Sequence, residues 1–352
     1  MGSVGGEQNS APVCVTGATG YVGSWLVRTL LRRGRRVHAT ARDPAKAWRM
    51  LSAVEGKDRL TVFQADMAEE GSFDDAVSGC AALFHVAASM DLHLEPGQHH
   101  VEERVRSQVL EPATRGTMNV LRSCVRAGTV RRVVFTSSVS TLSAAAPGAD
   151  EAVVDESCLR DLDDVWATKP IGWMYILSKR LTEEAAFGFA RENGIHLVSV
   201  VLPTVAGPFL TPAVPTSVQL LLSPITRDPK LYALLASVHA RFGCVPLAHV
   251  QDACDAHVFL MDAPGAHGRY LCAGGSHPMA QIARLLSSHY PPFKPAERLS
   301  EDFDGSSPSV VSSKRLLNLG FRFQHDVTDI CRDIVAQCVD HGFLEQPDDG
   351  CN

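Results

Sequence analysis

The chain has no apolar run near the ~20 residues that a bilayer-crossing helix needs, so a membrane span is not expected. It has no Cys-x-x-Cys pair. Its ten cysteines are scattered from Cys14 to Cys351, which excludes a regular disulfide framework and suits small buried hydrophobes in a reducing compartment. Metal-ligand spacing is also missing: His99 and His100 adjoin in a polar stretch, and His249 and His257 are eight apart, so no metal is expected. There is no internal repeat or low-complexity tract, and 45% apolar with 20% charged residues is globular composition. Excess positive charge is lacking too. The 33 basic and 39 acidic residues leave −6, which argues against nucleic acid or an anionic membrane surface as partner. The first eleven residues are small and polar, without the apolar core of a secretory signal. They read as a disordered tail, as do residues 346–352, and a cytoplasmic location is expected.

One window departs from the average charge. Between Arg28 and Arg49 stand eight basic residues and one acid, Asp43, for a local +7. Around it, short β-branched runs alternate with helical patterns: strands at 12–16, 36–41, 60–65, 81–87, 132–137 and 196–202, and helices at 21–33, 101–127 and 173–193. Near-continuous apolar strands separated by helices predict an α/β fold, a Rossmann-type doubly wound parallel sheet covered on both faces. In such sheets ligands bind beyond the C-terminal strand ends. After Pro203 a series of prolines breaks the rhythm. The 352 residues therefore divide into a dinucleotide-binding domain over 12–203 and a smaller mixed C-terminal lobe over 204–345 for substrate, with some segments able to return to the sheet.

The first strand runs into Thr16-Gly17-Ala18-Thr19-Gly20-Tyr21-Val22-Gly23 and then a helix. Gly17 permits a tight turn, Gly20 a close approach of backbone to a pyrophosphate, and Gly23 close packing of helix on strand. The helix N-terminus adds free N–H donors and partial positive charge. An NAD site places Asp or Glu at the end of the second strand to hold the ribose 2′-hydroxyl, but this strand ends Thr40-Ala41-Arg42 with no acid before Asp43. A carboxylate would repel a 2′-phosphate, whereas Arg42 can grip it, with Lys46 and Arg49 close behind. The cofactor expected is NADPH. Asp66, after the third strand, is placed to meet the adenine amino group.

Tyrosine is scarce, five in the chain, yet two begin a Tyr-x-x-x-Lys match: Tyr175 to Lys179 and Tyr290 to Lys294. The pair shares a face only on a helix, and Pro291-Pro292 forbids one after Tyr290. Tyr175 and Lys179 remain. A free phenol titrates near pH 10, so a tyrosine that works near neutrality needs a cation at hand, which such a lysine supplies. The fifth strand ends in Thr136-Ser137-Ser138, hydroxyls at the sheet edge where a second donor to a carbonyl oxygen would sit.

The order of glycine turn, hydroxyl after strand five and Tyr-x-x-x-Lys on the next helix resembles the extended branch of the short-chain dehydrogenase/reductases. Within it, the chain resembles the plant dihydroflavonol 4-reductase, flavanone 4-reductase, anthocyanidin reductase and cinnamoyl-CoA reductase group. The likeness rests on TGATGYVGSWLV from Thr16, ATARDP from Ala39, EEGSFDDAVSGC from Glu69 and FHVAA from Phe84. TVRRVVFTSS from Thr129, YILSK from Tyr175, GRYLCA from Gly268 and SSKRLLNLGF from Ser312 complete it. The resemblance implies Ser138, Tyr175 and Lys179 as catalytic residues. Gly17, Thr19, Gly20, Tyr21, Val22, Gly23, Arg42, Lys46, Asp66, Met67, Val86, Ala87, Ala88, Ser137 and Pro203 would join Tyr175 and Lys179 around NADPH. Met90, Ser138, Ser143, Thr204, Tyr175 and Ser217 would meet a flavonoid substrate. Loose association with other enzymes of the pathway is a further expectation.

Departures from the group bear on substrate. Ile171-Gly-Trp-Met-Tyr-Ile-Leu-Ser-Lys179 replaces the Asn-Trp-Tyr-Cys-Tyr-Gly-Lys signature of cinnamoyl-CoA reductases, which disfavours a CoA thioester. Ser143 stands where dihydroflavonol 4-reductases usually carry Asn. The lengths of 223–252 and 144–154 resemble anthocyanidin reductases, while the glycine turn and Gly207-Pro208-Phe209 resemble the 4-reductases. Reduction of a flavanone or dihydroflavonol 4-ketone leads; conversion of an anthocyanidin to a flavan-3-ol is the alternative, and a non-catalytic NADPH-binding protein a third reading.

Overall fold

The computed structural model describes residues 11–88, 101–144, 153–295, Phe303 and 309–346. Two compact units appear: Met1–Thr141 with Asp161–Val201 and Cys254–Tyr270, and Leu142–Arg160 with Leu202–Ala253 and Leu271–Asn352. The described strands are, in order, β1 (Val13–Thr16), β2 (Val37–Ala41), β3 (Leu60–Gln64), β4 (Ala82–His85), β5 (Arg132–Ser138), β6 (Val153–Val154), β7 (His196–Leu202), β8 (Thr204–Ala206), β9 (Val245–His249), β10 (Gly268–Leu271), β11 (Gly275–His277) and β12 (Val310–Val311).

Seven of them form the central sheet in the order β3-β2-β1-β4-β5-β7-β10. Each pairing from β3 to β5 is parallel. The chain order reverses between β1 and β4, which makes their C-terminal ends the crevice where an open α/β sheet takes ligands. The inner strands β1 and β4 are buried at every residue, as the unbroken apolar runs predict, whereas the edge strand β3 has exposed and half-buried positions. Strand four is shorter than the expected 81–87. The N–H groups of Val86 and Ala87 leave the ladder and donate to the Thr16 hydroxyl instead, at 3.1 and 3.0 Å.

The helices that matter for the site are α1 (Tyr21–Arg32), α2 (Pro44–Leu51), α3 (Asp74–Val77), α4 (Val101–Val105), α5 (Glu111–Ala127), α6 (Leu162–Thr168), α7 (Trp173–Glu192), α8 (Thr216–Thr226), α9 (Pro229–Phe242), α10 (Val250–Asp262) and α11 (Met279–His289). The helix expected over 101–127 is present but interrupted by a π turn, Arg106–Leu110. Pro112 supplies the cause: it has no N–H for the carbonyl of residue 108, and its ring crowds that oxygen, so the turn before it widens. Val105, Val109 and Leu110 of this stretch pack with Ile176 and Leu177 of α7.

In the second unit β8 pairs in parallel with β9 and β9 antiparallel with β11, while β6 and β12 make a separate parallel pair. A helix over Val327–Asp340 starts at a capping box of Asp326 and Asp329.

Arg132, at the start of β5, explains how the 254–270 segment reaches the sheet. Its guanidinium collects the carbonyls that α10 leaves unpaired, Leu260 O at 2.7 Å and Met261 O at 3.3 Å, with Ala263 O beyond them, and also meets His196 Nδ1 at 2.7 Å. Arg132→Met keeps the stem and strands those carbonyls, so it should lower the unfolding free energy by about 1–3 kcal/mol, read by urea denaturation.

Candidate active site

Gly17 leaves β1 with φ +69°, and a Cβ there would come within 2.9 Å of the Ala87 backbone. A Cβ on Gly23 would strike the carbonyl of Gly17. Both glycines are therefore required by the backbone itself, one by its dihedral and by β4, the other by the turn that it rests on. Gly20 is the N-cap of α1. It carries no side chain to cap the helix, and no acid stands in the first turn. The helix start is left to an anion.

The basic window splits in two. Arg33 and Arg35 pair with Asp255 and Asp262 of α10 at 2.7 and 3.1 Å, Arg32 with Glu55 at 3.7 Å, and Arg28 lies over the Trp25 ring at 4.3 Å. Arg42, Lys46 and Arg49 are exposed and form no ion pair among the described residues. Asp43, the one acid in the window, caps α2 by accepting the Lys46 N–H at 3.0 Å, with Pro44 in the first helical position. Asp66 accepts the N–H of Ala68 at 2.9 Å, and the carbonyl of Met67 is held by Asn119 at 2.9 Å. These residues fit a dinucleotide: an open helix start, a glycine turn with no room for a Cβ at Gly17 or Gly23, and cations past β2 that form no ion pair among the described residues.

At the far side of the crevice β5 ends in Ser137 and Ser138. Ser137 Oγ is buried with no partner among the described residues. Ser138 is half-buried; its Oγ accepts the Ser140 N–H at 3.2 Å, and its carbonyl takes the Thr141 hydroxyl at 2.7 Å. Helix α7 packs on β5 and on the turn 139–141. Lys179 is tied to that strand, its Nζ donating to the carbonyl of Thr136 at 3.2 Å, and Tyr175 stands half-buried one helical turn earlier. The rival match fails: α11 ends at His289, and Tyr290 is its C-cap, with the hydroxyl donating to Glu345 O at 3.2 Å.

Ser143, Pro203, Thr204 and Ser217, also named for substrate or cofactor, belong to the second unit. The Ser143 N–H donates to Cys158 O at 2.8 Å, and its hydroxyl points to the same oxygen at 3.4 Å. Pro203 and Thr204 are buried at the start of β8, where Thr204 pairs with Leu247, and Ser217 is half-buried in the first turn of α8. Met90 lies outside the described residues.

Residues 13–273 match the NAD dependent epimerase/dehydratase family. The chain belongs to this family. Among its curated relatives, a putative anthocyanidin reductase of Ginkgo biloba is 38% identical over 94% of this chain and 95% of its own. The bifunctional dihydroflavonol 4-reductase/flavanone 4-reductase of Malus domestica is 35% identical over 98% and 94%. Among solved structures, vestitone reductase from alfalfa (Medicago sativa) superposes with a TM-score of 0.78 at 30% identity, covering 95% of this chain and 100% of that one. The expected extended short-chain dehydrogenase/reductase fold and an oxidoreductase with a nicotinamide cofactor are thus shown, and the chain is similar to named reductases of plant flavonoids.

Two residues beneath the glycine turn that the motif spacing did not single out, Thr16 and His85, hold the end of β4 in place. Thr16 Oγ1 accepts two N–H groups, from Val86 and Ala87, and so has only its proton to give to His85 Nδ1, 3.0 Å away. His85 Nε2 must then carry the hydrogen that meets Thr117 Oγ1 at 3.0 Å. A second proton on the ring would face a hydroxyl with no lone pair left. Burial, with the Lys179 charge adding to it, pushes the ring down to about 3. Their signal was position alone: Thr16 precedes the glycine turn, and His85 ends an apolar strand.

The unfolded chain takes up this proton near the ordinary value of 6.5, the folded chain only near 3. Acid therefore favours unfolding across that window, and stability is lost as pH falls from about 6.5 towards 3. Urea unfolding at stepped pH should show this loss, and His85→Gln should flatten it; an unchanged slope would remove His85 as its source.

Proposed function

We propose that the protein is an NADPH-dependent reductase of flavonoid 4-ketones, acting on flavanones or dihydroflavonols. The observation that carries the reading is the attachment of α7 to the end of β5 through Lys179 and the Thr136 carbonyl, which sets the Tyr175 helix beside the strand that ends in Ser138. The substrate class is supported by the name of the Malus relative and by the departures at Ile171–Lys179 from the CoA-linked signature.

The dinucleotide's phosphates meet the open start of α1 and the 17–23 turn, with Thr19, Tyr21 and Val22 lining it. Arg42 and Lys46 take the 2′-phosphate, since their charges are uncommitted and Asp43 is turned to its own helix. Asp66 with Met67 flanks the adenine. Val86, Ala87 and Ala88, Ser137 and Pro203 lie along the rest of the cofactor. NADPH, when bound, supplies the hydride that goes to the carbonyl carbon. Ser138 donates a hydrogen bond to the carbonyl oxygen, and Tyr175 gives that oxygen its proton. Lys179 holds positive charge at the tyrosine and binds the nicotinamide ribose. Both hydroxyls act where negative charge develops, and this is where a donor contributes most to rate.

The deciding experiment is a panel of naringenin, eriodictyol, dihydroquercetin and cyanidin with NADPH. Turnover of a 4-ketone is expected; a flavan-3-ol from cyanidin with the ketones untouched would instead make the enzyme an anthocyanidin reductase, the kind named by the Ginkgo relative. Tyr175→Phe should abolish reduction while leaving NADPH affinity within about twofold of wild type, because it removes only the hydroxyl that donates the proton. Arg42→Ala should raise KM for NADPH by about tenfold or more and leave KM for NADH nearly unchanged, as expected for loss of a charge-assisted contact.

A further inference from the structure

Tyr175, Lys179 and Glu183 are spaced four apart along α7 and share one face of it. Glu183 is 2% exposed, and none of the roles above uses it. Its carboxylate accepts the hydroxyl of Ser199 on β7 and pairs with Arg269 of β10, Nε to Oε1 at 3.2 Å. The same guanidinium donates through Nη2 to the Thr141 hydroxyl at 2.6 Å. Thr141, fully buried, passes its own proton on to the carbonyl of Ser138 at 2.7 Å. One continuous bridge therefore runs from the tyrosine helix, through the edge of the sheet, to the backbone of the serine. The Glu183–Arg269 link in it is an ion pair, and the links on either side of Thr141 are hydrogen bonds. Burying such an ion pair is a poor way to gain stability, since an apolar group of similar volume usually does as well; what the pair adds is a fixed geometry.

We propose that Glu183, Arg269 and Thr141 are positioning residues for the reduction, setting the Ser138 end of β5 at a fixed distance from the α7 face that carries Tyr175 and Lys179. The inference rests on the reading that Ser138 and Tyr175 share the carbonyl oxygen. A displacement of about 1 Å between two such donors is enough to slow the chemical step by about 100-fold while leaving binding nearly intact.

Thr141→Val keeps shape and removes both hydrogen bonds; Thr141→Ser keeps the hydroxyl. Arg269→Lys keeps the charge but has no fork to hold Glu183 and Thr141 together. For each, kcat and KM are measured on the ketone turned over in the panel, with NADPH affinity from cofactor fluorescence. The isotope effect on kcat is measured with NADPH deuterated at the transferred hydrogen. Thr141→Val and Arg269→Lys should lower kcat by about 10- to 100-fold, with KM and NADPH affinity within about twofold and a larger isotope effect, and Thr141→Ser should restore kcat. Wild-type kcat in both Thr141→Val and Arg269→Lys overturns the proposal, as does a parallel loss of kcat, KM and NADPH affinity in Thr141→Val that Thr141→Ser does not rescue. Tyr175→Phe in the same assay separates the two readings. If it is inactive and the bridge variants are normal, the bridge alone falls; if it is fully active, the catalytic assignment falls and the bridge with it.

Discussion

The hydroxyl of Thr16 sits where the sheet changes direction, and the site depends on what it holds. It takes the first two N–H groups beyond β4, so that strand stops at His85 and the chain turns across the end of β1. The turned segment brings the Ala87 backbone against Gly17, and the Gly17 carbonyl in turn is the surface on which Gly23 and the start of α1 rest. The cradle is thus a stack of backbone contacts with a polar pin beneath it. That pin is oriented by a histidine that must stay neutral to accept the hydroxyl proton. A crevice made this way is stiff, because each layer is in contact with the next and no side chain is free to relax the fit.

Much of this was legible in the sequence, and the reasons are physical. A parallel sheet buried on both faces forces unbroken apolar strands, so β1, β5 and β7 could be read with little error. Gly17 and Gly23 could be read because each answers a separate steric demand. The choice of Tyr175 over Tyr290 followed from the inability of Pro291-Pro292 to continue a helix. What could not be read were residues whose role depends on long-range pairing. Nothing near Glu183 in the chain announces that Arg269 lies against it, or that Arg132 gathers the end of α10. The periodic pattern over 101–127 gave a helix but not its π turn, since one added residue changes the phase without changing the composition. Ser143 could be flagged by comparison with the 4-reductases, but its engagement with Cys158 belongs to a fold no local pattern encodes.

The same limit explains the small errors at strand ends. Ala81–Ala87 is apolar but for His85, and a reading based on composition carries the strand on past that residue. The strand ends earlier because a threonine 70 residues away competes for its amides. Side chains that cap or pin backbone groups set boundaries that hydrophobic pattern cannot.

The division of the basic window has a consequence for how the protein meets its cofactor. As a sum, +7 within twenty-two residues suggests a broad attractive field. Three of those arginines are already neutralised by carboxylates of Glu55, Asp255 and Asp262, and a fourth is laid over an indole. Of the charge left uncommitted, Arg36 stands exposed before β2 and the rest is concentrated at Arg42, Lys46 and Arg49, and at physiological ionic strength its reach is only about 8 Å. Such a patch does little to draw anions in from a distance. On the proposed reading of the cofactor it acts at contact, as a reader that senses whether the one ribose within its reach bears a phosphate, while the paired arginines spend their charge on Glu55 and on α10.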